Sequence, residues 1–382
     1  MSLISPDKIT PPRDTPRGNA RSFGWRGASL VAITYIYFLI FAQFAFLKRL
    51  MMLDVAGDRL QAALAAMAAG GILFSLLTPR LRLWPLPNMR LRIGLGSAAL
   101  AAFATLLPLG FAGCIALSFL IGAGLGVLTV TLVTHLRQWT GNRNPLFCVG
   151  LGTGIGYLIC NFPPLFAAPP QVQAIIAGAA CLMGMCITLS KPPPFIMEIT
   201  EMQSQPSGFS FPYVLACFSA LVWLDSAAFY IIQKTPTLKA DTWAGAAHLW
   251  AIGLLHLAAA LTSVGLLRKR GLWPVLSLAF FALCCACLLL LHPYRALPAS
   301  IFYPIGASLY SVALVAYPSL LASVSSSAER CRQAGWLYAI AGWSASALGI
   351  GMSQNLGYIP PAFVLVAGVV ILLPWVVRNL AR

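Results

Sequence analysis

Long apolar stretches, each close to the length that crosses a bilayer, alternate along the chain with short polar segments. A helix needs about 20 mostly apolar residues to span the hydrocarbon core. By that measure the sequence predicts six spans over 28–52, 59–79, 93–111, 113–137, 145–167 and 171–190. Six more follow over 211–234, 243–267, 272–292, 298–323, 332–355 and 359–378. The longest polar connection carries Pro192, Pro193, Pro194 and Pro206 with Glu198 and Glu201, and it separates six spans from six. The expected organisation is a tail over 1–27, a first bundle over 28–190, a linker over 191–210 and a second bundle over 211–382. The fold class is all-α: a polytopic membrane protein with twelve transmembrane helices in two six-helix bundles.

Composition removes the competing classes. Of 382 residues, 59% are hydrophobic and only 9% charged, against about 45–50% and 25% in soluble domains. The mean hydropathy of +0.83 agrees, and a soluble multidomain enzyme is excluded. The net charge of +16 would point to nucleic acid in a soluble chain. Here the basic residues sit between apolar runs, so they report topology and no nucleic-acid partner is expected. With the N-terminus in the cytoplasm, 19 of the 25 Lys and Arg fall inside, leaving Lys48, Arg49, Arg59, Lys234, Lys239 and Arg295 outside. The positive-inside rule expects this asymmetry, with both termini cytoplasmic. The tail has no apolar core followed by a cleavage site, so the first span is its own insertion signal. Abundant Ala, Arg and Trp suggest a bacterial inner membrane, and the chain is expected to act as a monomer. The ten cysteines show no spaced pairs in outer loops, which argues against a disulfide framework. Cys284, Cys285 and Cys287 read as small core residues rather than a soft-metal site, and no cofactor motif is present.

The two halves echo each other. Leu76-Leu77, Arg80, Arg82 and Trp84-Pro85 follow the second span, and Leu266-Leu267, Arg268, Lys269, Arg270 and Trp273-Pro274 follow the eighth. Duplicated bundles of this kind hold a substrate at the repeat interface. In these features the chain resembles the major facilitator superfamily, over essentially its whole length. Gly150, Gly152, Gly154 and Gly156 look like the glycine-rich fifth helix of many antiporters of that family. The stretch after span two has Arg80, Arg82, Arg90 and Arg92 but lacks the acidic residue on which the family's loop motif centres. The resemblance implies secondary transport by alternating access, with spans one, four, seven and ten lining a central cavity.

Asp225, in Val222-Trp223-Leu224-Asp225-Ser226, is the acidic residue well inside a span. An intramembrane carboxylate is costly and marks a functional candidate. Hydrocarbon favours its neutral form, which suits proton coupling; the bland reading is a structural hydrogen bond between helices. His248 and His256 lie about 80° apart on an ideal helix, near enough to border one groove, and either could share that proton. Tyr303, Tyr310 and Tyr317 recur every seven residues with Ser311 beside the middle one. Trp223, Ser226, Tyr230 and Gln233 share an arc about 80–160° from Asp225, which would turn Asp225 toward a neighbouring helix. Aromatic stripes commonly mean packing, although buried Tyr hydroxyls need partners and favour a wet cavity. Tyr35, Gln43, Asn161, Trp343, Ser344, Ser346 and Gln354 complete the candidate lining. Lys48 and Arg49 either attract an anionic solute or snorkel to the interface.

The function expected from these residues is proton-coupled transport of a small amphipathic or aromatic solute, such as a drug-like compound or a siderophore. Its partners are then that solute, protons and the lipid bilayer. The alternative is a non-transporting protein of the same fold, acting as an assembly factor or sensor. Enzymatic activity is not expected, because charged residues within the spans are too few for an acid–base pair.

Overall fold

The computed structural model describes residues 19–81, 86–141, 144–189, 209–243, 245–291, 296–324 and 326–380. The tail through residue 18, the linker over 190–208, and Arg82, Arg143, Arg295 and Arg382 lie outside the described residues. The first six long helices are α1 (19–52), α2 (Asp58–Leu77), α3 (Pro87–Ala104), α4 (Phe111–Thr134), α5 (Pro145–Cys160) and α6 (Pro170–Leu189). The second six are α7 (Phe211–Lys234), α8 (Ala246–Arg270), α9 (Leu272–Leu289), α10 (296–321), α11 (327–356) and α12 (Pro361–Leu380). Every expected span is therefore a helix.

The ends differ from expectation where hydropathy is blind. α1 starts nine residues before the first expected apolar position. α11 starts at Ser327 rather than 332, because Ser326 Oγ accepts the Glu329 backbone N–H at 3.1 Å. Ser-x-x-Glu spacing of this kind is the signature of a capped N-terminus. α5 stops at Cys160, well short of 167: Pro163 and Pro164 follow and open a separate one-turn helix, Pro163–Phe166. Proline has no N–H to continue the ladder and restricts the residue before it. A short helix Pro236–Trp243 precedes α8. Among the described residues, eight helices are long and apolar enough to cross a membrane by length and composition. Of the others, α3 opens on Pro87, Asn88, Arg90 and Arg92, α5 is 16 residues long, and α11 begins with the polar turn just described.

Within the first six, α2 and α3 pack on α4, α3 on α6, and α1 on α5 and α6. Within the second six, α7 packs on α11, α9 and α12, and α8 and α9 pack on α10. The sets meet where α5 faces α8 and α2 faces α11. The glycine ladder of α5 explains two of these contacts at once. Residues four apart lie on one face of a helix and residues two apart on nearly opposite faces. A Cβ at Gly154 would sit 2.6 Å from Leu257 Cδ1 and one at Gly150 would run into Val264, both on α8. A Cβ at Gly152 would meet the Ala28 carbonyl and one at Gly156 the Tyr35 side chain, both on α1. Small residues let membrane helices approach this closely.

Several basic side chains close helix ends, whose last carbonyls lack intrahelical partners. Arg90 donates to the Leu81 carbonyl at 2.9 Å and the Thr78 carbonyl at 3.3 Å, just past the end of α2. Arg92 holds the end of α6 through the Thr188 carbonyl at 2.7 Å. Arg49 donates from Nε to the Thr105 carbonyl at 3.2 Å and from Nη2 to the Leu107 carbonyl at 3.5 Å, where α3 ends. Arg49 thus ties α1 to the end of α3 and does not line the central cavity. Arg49→Ala is expected to lower stability by about 1 kcal/mol, read as a lower melting temperature of the purified protein.

Candidate functional site: a central cavity

A cavity of about 200 Å³ lies between the two sets of helices. It is walled by α1, α4, α5, α7, α8, α10 and α11, with α5, α8 and α11 added to the four spans expected from the sequence. Three of its helices carry wide π turns, in which a backbone N–H reaches back five residues. Such turns cover Tyr37–Ala45 in α1, Tyr317–Leu321 in α10 and Tyr338–Ser344 in α11. They interrupt the helical register and are frequent at functional sites. Phe38, Gln43 and Phe44 of the first turn, and Tyr338, Gly342 and Trp343 of the third, line the cavity.

Asp225 sits on the cavity wall and on a seam between α7 and α10. Phe211, Phe218 and Asp225 recur every seven residues on α7, facing the Tyr303, Tyr310 and Tyr317 stripe of α10. At one end of the seam Tyr317 packs against Phe211 and Phe218, with ring centroids 6.5 and 6.0 Å away. Two helical turns further along the seam, Tyr310 Oη donates to Asp225 Oδ2 at 2.6 Å. The other carboxylate oxygen, Oδ1, is buried and makes no hydrogen bond of good geometry, although the Tyr303 hydroxyl approaches the same carboxylate. Asp225 therefore both touches the neighbouring helix and lines the cavity.

Further polar contacts converge on α10. His256 Nδ1 and Ser308 Oγ are 2.7 Å apart. Tyr157 Oη and Ser311 Oγ are 3.2 Å apart, and Tyr35 Oη donates to the Ser311 carbonyl at 3.4 Å. The Tyr157 and His256 rings stack at 4.1 Å with a 6° interplanar angle, which joins α5 to α8 beside the glycine crossing. On the opposite wall Ser226 Oγ donates to Ser346 Oγ at 2.8 Å, linking α7 to α11.

At the end of the cavity where α7 leads into α8, four rings meet from separate elements. Phe44 lies 5.4 Å from Phe166, 5.5 Å from Phe229 and 5.9 Å from Trp243, centroid to centroid. Phe166 and Phe229 each also contact Trp243, at 6.1 and 5.6 Å. Two rings belong to the first six helices and their connections and two to the second, so the cluster bridges the sets. Aromatic pairs contribute about 0.5–1.5 kcal/mol each beyond area burial. Trp243→Ala is expected to speed modification of Cys160, a buried thiol on the cavity wall, by a water-soluble maleimide. Mass spectrometry of the Cys160 peptide measures the rate.

Among the residues singled out from sequence, Tyr35, Gln43, Asn161, Asp225, Ser226, His256, Tyr303, Tyr310, Ser311, Trp343 and Ser346 line this cavity. Others lie elsewhere. Tyr317 belongs to the α7–α10 seam at a level where the cavity has ended. Trp223 turns to α12 and packs edge-on against Phe363, 4.8 Å away. Tyr230 carries the Lys234 ammonium over its ring, 5.9 Å from the centroid. Gln233 Nε2 reaches the Gln43 carbonyl at 3.4 Å without lining the cavity. His248 and Gln354 also lie off it, so the two histidines do not border one groove. Sequence reasoning missed Tyr157, Ser308, Tyr338 and the four-ring cluster. The Phe211-Phe218-Asp225 repeat was available as a signal and would have paired α7 with α10.

No family model and no curated protein sequence matches the chain. In structure it is similar to the proton:xylose symporter XylE of the major facilitator superfamily, solved with 6-bromo-6-deoxy-D-glucose bound. The TM-score is 0.67 over 93% of this chain and 94% of that one, at 11% sequence identity. The chain has the major facilitator superfamily fold: a multi-pass membrane protein with six plus six helices.

Proposed function

We propose that this chain is a proton-coupled secondary transporter that moves a small amphipathic or aromatic solute, drug-like or siderophore-like, by alternating access. The observation that carries the reading is Asp225, a carboxylate inside a membrane helix. It is held by the Tyr310 hydroxyl, with Tyr303 beside it, and set on the wall of a cavity between two sets of helices. A carboxylate inside a membrane helix is costly and marks a site where it faces a cavity or a partner. The fold shared with a proton-coupled symporter supports the same reading, as does a cavity whose walls come from both halves. Asp225 is the proton carrier, with His256 the nearer assistant and His248 off the cavity. Rocking of the halves would turn on the α5–α8 glycine crossing and would break and remake the Phe44–Phe166–Phe229–Trp243 cluster. The arginine distribution supports a bacterial inner membrane with both termini cytoplasmic.

The test is movement of labelled candidate solutes across proteoliposome membranes under an imposed pH gradient. Movement of at least one solute that stops when a protonophore collapses the gradient supports the reading. Movement indifferent to the gradient, or none from folded protein across a broad panel, contradicts it and favours the assembly-factor or sensor alternative.

A further inference from the structure

The charge on the cavity wall is one-sided. Asp225 is the one charged side chain among the described residues that line it; neither Lys nor Arg does. The nearest cations on α1 lie outside it, and Arg49 is held by the backbone carbonyls of Thr105 and Leu107. The imidazole on the wall, His256, is occupied by Ser308 on one nitrogen and covered on one face by the Tyr157 ring. Aromatic side chains on the same wall include Tyr35, Phe38, Tyr157, Tyr303, Tyr338 and Trp343. Neutral hydrogen-bonding side chains such as Gln43, Thr129 and Asn161 also line the wall, and several are engaged within the protein. Asn161 Nδ2 donates to the Tyr157 carbonyl at 2.9 Å, and Ser226 is paired with Ser346.

From this arrangement we infer that the solute is a monovalent organic cation, an amine or quaternary ammonium with an apolar body, whose charged head meets the Asp225 carboxylate. Three physical arguments converge on that class. An anion would enter a cavity with a carboxylate and no cation to offset it, which costs several kcal/mol by like-charge repulsion alone. A neutral solute would leave the carboxylate's charge on the wall without a counter-charge. An organic cation answers both features: the carboxylate takes its charge, and aromatic faces attract cations through the ring quadrupole. The inference rests on the transport reading above and narrows its solute, favouring a drug-like amine over an anionic siderophore.

The test uses the purified full chain and three phenyl compounds that differ chiefly in head-group charge: benzyltrimethylammonium, N,N-dimethylphenylacetamide and phenylacetate. Calorimetric titration of each into the wild type and Asp225→Asn measures the affinities. The expected result is cation binding at least about tenfold tighter than amide or anion, with the preference lost in Asp225→Asn. Equal binding of the amide or anion overturns the inference. So does a preference that survives in Asp225→Asn, or no saturable binding of the cation to the wild type. The wild-type comparison stands even where the variant fails to fold. The two readings fail separately. Proton flux driven by neutral or anionic solutes would overturn the cation site and leave transport standing. Charge-selective binding with no solute movement would overturn transport and leave the cation site standing.

Discussion

Asp225→Asn should give a folded protein whose solute-driven proton flux is no greater than that of protein-free vesicles. The substitution keeps the shape of the side chain, and the Tyr310 hydroxyl can still donate to the amide oxygen in place of Oδ2, so the α7–α10 seam stays joined. What is lost is the group that takes up and releases a proton inside the membrane. Stability should hold or rise, because a costly carboxylate inside a membrane helix is replaced by a neutral amide. Loss of function without loss of stability is the pattern of a site kept at a structural cost. A structural Asp225 would show the reverse: a lower melting temperature and retained flux. Thermal unfolding and vesicle pH recordings on one preparation distinguish the two.

Gly152→Leu is expected to have the largest effect on folding. A Cβ at 152 would run into the Ala28 carbonyl oxygen, and Val31 Cβ would lie 2.9 Å away. Neither the carbonyl nor a β-carbon can swing aside as a side-chain tip can, so α1 and α5 must separate along a crossing that orders the first half. Overpacking of this kind typically costs about 1–3 kcal/mol and occasionally more. With a backbone atom as the obstacle the upper end, about 3 kcal/mol, is expected, and little folded protein should be recovered from membranes. Gly265→Ala is the matching control. Nothing lies within 4 Å of a Cβ at that position, and alanine favours a helix over glycine by up to about 1 kcal/mol. Its melting temperature should be unchanged or higher.

The span count and the fold were legible because hydropathy alone marks segments that must cross a bilayer, and basic loops mark the turns between them. Polar extensions were not legible on that scale. The first turn of α11 and the early start of α1 carry charge, and only the Ser326–Glu329 capping pattern announces the former. The end of α5 was readable from Pro163 and Pro164 but was overrun by the apolar residues after them. For the site, helical periodicity groups residues on one helix without saying which neighbour that face meets. Trp223 and Tyr230 share an arc with Ser226, yet Trp223 packs on Phe363 of α12 while Ser226 reaches Ser346 of α11. Tyr157 and His256 stack across the two halves, a pairing that no spacing within one helix encodes. Asp225 was legible because a lone carboxylate in an apolar span is costly wherever it faces. The aromatic cluster was not, since its four members come from four separate segments.

A pH-sensitive dye trapped inside proteoliposomes shows whether Asp225 couples solute movement to protons. Wild type and Asp225→Asn are compared on addition of the same organic cations. The expected result is a compound-dependent pH change with the wild type and none with Asp225→Asn at equal folded protein. An equal change with both would contradict it and place the proton site elsewhere, with His256 next in line.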